Sequence, residues 1–418
     1  MRLLPVLILA VAVAALLPPA AADPALLRFS FSAGAPIIPM DERQADRLSA
    51  YGLVHALLRE GVVVHRVITP PDPLFRTSSH FQVSEAYEGG PFLVWLQDRD
   101  RFDAVAAGFP TVTHDRLSEP FIVSRLFSAV EPTDILLVIG YNPARDPSQN
   151  PDLRPPYPDP EIDYGATRVL LDRMRIPYDV VNVSAVTRDP NLLFDYDLVV
   201  ADCPAWHPVD VPSEISRLLR LFVDEGGTLV FTDRALYNLA AVFPGRIAIA
   251  SSRPWIGDAT IHTNDGVLGQ YYGDTAVRVA TEPASPIPQG AVIASASTNV
   301  TVLMDTREYP EGFLGATTYR ILAANFTYGN GTVVAFAYHP AEQPAGSYEF
   351  TSALYGNVFV RAGPVLLREL PPPPPPSLAL PSSSSIGYLF SGFAAVGITD
   401  LIRGRIKLRR KEKIAVRV

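Results

Sequence analysis

Four short apolar runs, rich in β-branched residues, constrain this chain most: ILLVI at 135–139, YDLVVA at 196–201, TLVFT at 228–232 and TVVAFAY at 332–338. They do not alternate polar and apolar positions in the way a half-exposed strand does, so both faces must be covered. Strands of that kind lie in a parallel sheet with helices packed on either side. The intervening segments supply the helices. Residues 164–175 are helical in pattern, 213–225 carry leucines and a phenylalanine at helical spacing before Gly226-Gly227, and 233–243 close at Pro244-Gly245. A further strand is expected at 178–183, and 320–326 with 332–338 read as a hairpin joined at Tyr328-Gly-Asn-Gly331. Residues 248–305 are rich in Thr, Ser, Gly and Pro with short β-like pieces, and 352–370 read as a closing helix.

The region before these runs has its own alternation. A strand at 26–32 precedes a helix at 42–60, whose apolar residues (Leu48, Tyr51, Leu53, Val54, Leu57, Leu58) recur at helical spacing before Gly61. Residues 62–69 are β-branched and end at Pro70-Pro71, so they form a strand; 91–96 and 111–113 follow as strands around a helix at 99–107. Such a β-α-β opening predicts a small parallel-sheet lobe. The expected fold is α/β with two flavodoxin-like parallel-sheet lobes, over 23–130 and 131–370, plus a C-terminal transmembrane helix.

The ends set the expected topology. Residues 1–22 read as a signal peptide, with Arg2, an apolar stretch from Leu3 to Leu17 and Ala20-Ala21-Ala22 before Asp23. Six consecutive prolines from Pro371 open a Pro/Ser-rich stalk over 371–385, a spacer of about 19 Å as polyproline II. Residues 386–402 are apolar and directly precede a basic tail, 403–418. That order reads as a single-pass anchor contacting membrane lipid, with the body extracellular and the C-terminus cytoplasmic. Asp400 belongs at the interface beside Arg403. Four N-x-S/T sequons, at Asn182, Asn299, Asn325 and Asn330, are expected glycosylation acceptors in an exported chain.

The formal net charge of -8 excludes nucleic acid as a partner, since phosphate neutralisation needs a basic face and the basic run lies at the very end of the chain. With one cysteine, Cys203, no disulfide can form within the chain. His55 and His65, on the first helix and strand, are expected to be structural. No compact metal-ligand spacing occurs, and neither a metal nor another cofactor is expected.

Three segments carry a resemblance: DYDLVVADCPAW (195–206), GGTLVFTDRALYNLAA (226–241) and GNGTVVAFAYHPAE (329–342). In order and spacing they are similar to the class I glutamine amidotransferase-like superfamily, over about residues 134–370. The resemblance implies an amidotransferase-like second lobe. The first segment matches the strand before the family's oxyanion loop, the second the strand-to-helix elbow that bears the nucleophile, and the third the strand ending in the family's histidine. Here Asp233 stands at the elbow where catalytic members have cysteine. His339 matches the histidine, while its carboxylate partner is displaced to Glu342. Glutamine hydrolysis by an elbow cysteine is therefore not expected.

Ligands of open α/β sheets bind beyond the carboxyl ends of the strands. The candidates there for ligand binding are Tyr141, Asn142, Asp202, Trp206, His207 and Arg234, with Asp233, His339 and Glu342 as catalytic candidates. Asp233 is also a natural helix N-cap, and Cys203 a small buried hydrophobe. The leading expectation is a non-catalytic surface module that binds a small molecule, a glycan or a protein partner. The alternatives are a surface hydrolase using Asp233 and His339, and a structural subunit assembled with a membrane or surface protein.

Overall fold

The computed structural model describes residues 29–67, 90–123, 126–129, 131–140, 166–203, 211–252, 255–262, 275–281, 290–311, 316–339, 343–344 and 348–361. The signal segment, stalk, anchor and basic tail expected from the sequence lie outside the described residues. Among the described residues no helix is long and apolar enough to cross a membrane.

The first part runs β1 (Phe29–Phe31), β2 (Pro36–Ile38), α1 (Arg47–Arg59), β3 (Val64–Val67), β4 (Phe92–Val94), α2 (Arg99–Ala106), β5 (Asp115–Arg116), β6 (Phe121–Val123) and β7 (Leu126–Ala129). β1 pairs with β6, and the rest form a sheet in the order β5-β2-β4-β3-β7. Every pairing in that sheet is antiparallel. The expected parallel first lobe is thus corrected. The β2-α1-β3 crossover does bring two strands back in the same direction, but β4 lies between them and runs the other way. β2, β3 and β4 are buried at every position. A pattern without alternation tells which segments are strands and nothing about which neighbours they choose.

Helix α1 begins five residues later than its apolar pattern suggests, because Asp46 caps it: the carboxylate accepts the Ser49 N–H at 3.0 Å and the Ser49 hydroxyl at 2.6 Å. The helix is buried nearly all round, without a break from Leu48 to His55 and again at Leu57 and Leu58. A helix so enclosed needs partners on both sides. Its other partners come from the second part of the chain.

That part runs β8 (Ile135–Ile139), α3 (Ala166–Met174), β9 (Asp179–Asn182), α4 (Val183–Arg188), β10 (Leu198–Ala201), α5 (Ser213–Asp224), β11 (Thr228–Thr232) and α6 (Leu236–Val242). It continues through β12 (Ile247–Ser252), β13 (Trp255–Ile261), β14 (Thr275–Thr281), β15 (Gly290–Ala296), β16 (Thr301–Glu311) and β17 (Ala316–Tyr328) to β18 (Gly331–Phe336) and α7 (Tyr348–Arg361). The strands β9-β8-β10-β11-β18 are neighbours in that order and all parallel. Numbered along the chain they read 2-1-3-4-5, the order of a flavodoxin-like doubly wound sheet. The expected hairpin is present: β17 and β18 pair antiparallel down to Tyr328 and Gly331. From β17 the sheet continues as an antiparallel wing of β16, β13 and β14, and β15 joins β12 to β17 as a branch. The molecule is therefore α/β with mixed sheets.

Tyr51, Leu53 and Leu57 of α1 share one continuous core with Leu170 and Met174 of α3 and with Tyr355 and Phe359 of α7. The helices approach closely at two glycines. A Cβ on Gly52 would lie 1.7 Å from the Met174 carbonyl oxygen, and one on Gly356 would lie 2.5 Å from the Tyr51 ring. Tyr51 in turn donates its hydroxyl to Asn357 Oδ1 at 2.7 Å, which fixes α1 against α7.

Candidate functional site

Three neighbouring parallel strands, β10, β11 and β18, deliver their carboxyl ends to one place. β10 exits into Asp202-Cys203, β11 into Asp233, and β18 into Ala337-Tyr338-His339. Asp202, Cys203, Asp233 and His339 are all buried, with Asp202 and Asp233 at 0% and 1% exposure.

Asp233 sits where the chain turns sharply from β11 into a short 3-10 turn and then α6. Its φ is 41°, a left-handed conformation rare outside glycine. Such a conformation costs a non-glycine residue about 1 kcal/mol or more, so the surroundings must hold it. The hydrogen bonds to its carboxylate show what does. Oδ1 accepts the Ala291 N–H at 3.1 Å, and Oδ2 meets His339 Nε2 at 3.2 Å and the Cys203 thiol at 3.2 Å. None of these donors lies in its own helix, so the N-cap reading of Asp233 is corrected. The 3-10 turn takes Thr232 as its N-cap residue, with no side-chain cap bond. The elbow aims the carboxylate across the strand ends instead.

Thr232 joins Asp202 to this set. Its hydroxyl donates to Asp202 Oδ1 at 2.7 Å and accepts the Cys203 N–H at 2.9 Å. Thr167, in the first turn of α3, also donates to Asp202 Oδ1, at 2.9 Å. Asp202 Oδ2 is buried and has no hydrogen-bond partner among the described residues. Below His339, Gln343 donates Nε2 to the His339 carbonyl at 2.7 Å and to the Ala280 carbonyl at 2.9 Å, while its Oε1 accepts the Ala280 N–H at 3.0 Å. One amide side chain thereby ties the segment after β18 to the edge strand β14.

The electrostatics follow from burial and proximity. Burial pushes the Asp233 carboxyl up, but the hydrogen bond and charge of His339, with the Ala291 and Cys203 donors, outweigh it and hold its pKa below 3.8. Burial raises Asp202 above the ordinary carboxylate value despite Thr232, His339 and Thr167. Burial, and then the Asp233 charge, push the Cys203 thiol well above 9. The Arg234 backbone N–H also hydrogen-bonds Cys203, which opposes that rise. In elbow enzymes the N–H of the residue after the nucleophile contributes to the oxyanion hole. Here that N–H is engaged by a thiol that stays protonated.

Of the candidates from the sequence, the structure brings Asp233 and His339 into contact and puts Asp202 and Arg234 beside them. Tyr141, Asn142, Trp206, His207 and Glu342 lie outside the described residues. Cys203 is buried as expected, yet it acts as a donor to Asp233 and is more than apolar filling. Its place next to Asp202 at a strand exit was the signal for this. Ala291 contributes only backbone, and Gln343 acts through a contact over 63 positions along the chain, so neither could be found from local sequence. His55 and His65 are buried away from this cluster: His55 Nε2 lies 3.1 Å from the Thr133 carbonyl, and His65 packs edge-on to Phe31 and Trp95.

No family model matches the chain, and no curated protein matches it. Among solved structures, a cytoplasmic protein from Salmonella typhimurium overlaps 54% of this chain and 98% of its own at 15% identity and a TM-score of 0.34. A ThuA-like protein from Bacteroides uniformis overlaps 55% of this chain and 90% of its own at 12% identity and a TM-score of 0.35. A GMP synthase subunit from Thermoplasma acidophilum overlaps 55% and 96% at 10% identity and a TM-score of 0.32. These likenesses are slight, and the reading of the fold rests on the strand order itself.

Proposed function

We propose that this chain is a non-catalytic binding protein of amidotransferase-like fold, exported and held at the outer face of a membrane. One observation carries the first half of that reading. At the strand-to-helix elbow, where a nucleophile would stand, Asp233 is buried and both its oxygens are bonded to internal donors. A carboxylate so held is not free to attack a carbonyl, and the protonated Cys203 thiol is a weak nucleophile. The order 2-1-3-4-5 and the three resembling segments support the amidotransferase-like fold. The ligand class that fits is a small polar molecule or a glycan, bound beyond the carboxyl ends of the parallel strands.

Two assays on the full-length chain test this. Ammonia release from glutamine and simple amides should not exceed the protein-free rate. A melting-shift screen against sugars and amino acids should find at least one stabilising class. Amide hydrolysis that is lost in both Asp233→Asn and His339→Gln would overturn the reading. It would favour the second one, a hydrolase in which His339 activates Asp233, for which the 3.2 Å contact and the strained elbow speak.

Export and anchoring rest on the signal segment, the proline stalk, residues 386–402 and the basic tail. A chain ending at Ser385 should leave the membrane fraction that retains the full-length protein. If it stays, the anchor lies elsewhere. The burial of the sequons refines the glycan expectation. Asn299 and Asn330 are exposed in turns, whereas Asn325 lies within β17, paired on both sides, and Asn182 uses its side chain to cap α4. Glycopeptide mapping should therefore find sugar on Asn299 and Asn330 and none on Asn325.

A further inference from the structure

We infer that Cys203, Asp233 and His339 form the binding site of one transition-metal ion of the zinc type. Their ligand atoms, a sulfur, a carboxylate oxygen and an imidazole nitrogen, all lie within 4.8 Å of one another. Asp233 Oδ2 is 3.2 Å from Cys203 Sγ and 3.2 Å from His339 Nε2. Adjacent ligands of a tetrahedral zinc ion, at ordinary bond lengths, stand about 3.3–3.6 Å apart. Replacing the two hydrogen-bonding protons by one ion therefore requires little movement at these contacts.

The donor set selects the ion. Thiolate and imidazole with a single carboxylate oxygen suit zinc, iron(II) or cobalt(II), while magnesium and calcium take oxygen donors almost alone. The framework is rigid, because each ligand follows a strand of the parallel sheet and neighbours are one strand apart. Three protein donors leave a tetrahedral ion one corner for a water or a ligand atom.

An independent observation points the same way. Asp202 precedes Cys203 in the chain, is wholly buried, and keeps one carboxylate oxygen without a hydrogen-bond partner among the described residues. Its charge acts on both His339 and Cys203. Two carboxylates and a thiol gathered around one imidazole leave an excess of negative charge, which a dication offsets. Asp202 then stands as the outer carboxylate that tunes the inner ligands, in the manner of other metal sites. Binding is balanced by proton release: the thiol proton, and a proton from His339 where the ring carries two, pass to solvent as the ion enters. The inference does not depend on export, nor on whether amides are hydrolysed.

The test uses the full-length protein, purified without chelator. Elemental analysis should find about one zinc, iron or cobalt ion per chain, and zinc added to stripped protein should raise its melting temperature. Cobalt in place of zinc should give a thiolate-to-cobalt charge-transfer band. Because the chain has 1 cysteine, that band can come only from Cys203. Cys203→Ala should lose the bound ion while keeping its circular dichroism, and Asp202→Asn should weaken affinity by about 10–100-fold. Should Cys203→Ala fail to fold, the cobalt band in the unaltered protein still decides. No bound metal and no melting shift with zinc, cobalt or iron(II) would overturn the inference. So would full retention of the ion by Cys203→Ala, or a cobalt complex lacking the thiolate band.

Discussion

Asp233 concentrates the site's energetics in one residue. A left-handed backbone at a non-glycine position persists only where the surroundings over-determine it, and here the carboxylate bonds to Ala291, His339 and Cys203 do so. Removing the carboxylate leaves these donors buried without their acceptor. In metal-stripped protein, Asp233→Ala should therefore lower unfolding free energy by about 3 kcal/mol or more, read from denaturant titration. A change inside the error of that titration would mean that the elbow is held by its backbone alone. His65 offers a second residue-scale test, through pH. Burial lowers its pKa from 6.5 to about 4. Between those values the unfolded chain binds a proton that the folded chain refuses, so stability is full above 6.5 and falls as the pH drops toward 4. The total loss is on the order of 3 kcal/mol. Asp233 acts lower, its stabilisation present above 3.8 and lost below it. Asp202, with its raised pKa, works in the opposite sense just above 3.8. Comparing His65→Leu with the parent isolates the histidine: its melting temperature should vary less across the window. Curves that remain parallel would assign the acid loss to other groups.

The helices show where packing replaces pattern. The apolar spacing of α1 was legible, and so was its amphipathic logic, yet the helix is enclosed on all sides because α3 and α7 cover what a surface helix would expose. Gly52 and Gly356 mark those approaches. Alanine gains helix propensity over glycine by about 1 kcal/mol, but at Gly52 its methyl would press on the backbone oxygen of Met174. Gly52→Ala should consequently be destabilising by about 1–3 kcal/mol net. Gly61→Ala is no control, since Gly61 has a φ of 75°. Ala56→Gly, on the same helix, serves instead and should show the ordinary propensity loss. Gly52→Ala with unchanged or raised melting temperature would mean that α1 and α3 can separate without cost. The antiparallel first sheet belongs to this scale as well. Its strands were mostly found, but the insertion of β4 between β2 and β3 was not, since fully buried three- and four-residue runs fit either neighbour equally well.

At the scale of the whole molecule, sequence reading reached the parallel sheet because each of its strands is a continuous apolar run, and only a sheet covered on both faces accepts such runs. From that sheet the edge carrying Asp202, Asp233 and His339 followed directly. What sequence reading did not reach was the closure of the site. The antiparallel branch β12–β15, formed from a stretch rich in Thr, Ser, Gly and Pro, brings the Ala291 N–H to the elbow. Gln343 then secures the His339 backbone from a second direction. The sequence alone determined which segments are strands and helices, the direction of the second sheet, and the residue types at its carboxyl edge, because these depend on local periodicity and short-range sterics. The tertiary structure decided that Asp233 faces Cys203 and His339 across the strand ends, away from its own helix, and that the first sheet is antiparallel. Both depend on contacts between residues far apart in the chain, whose free energy no local pattern records.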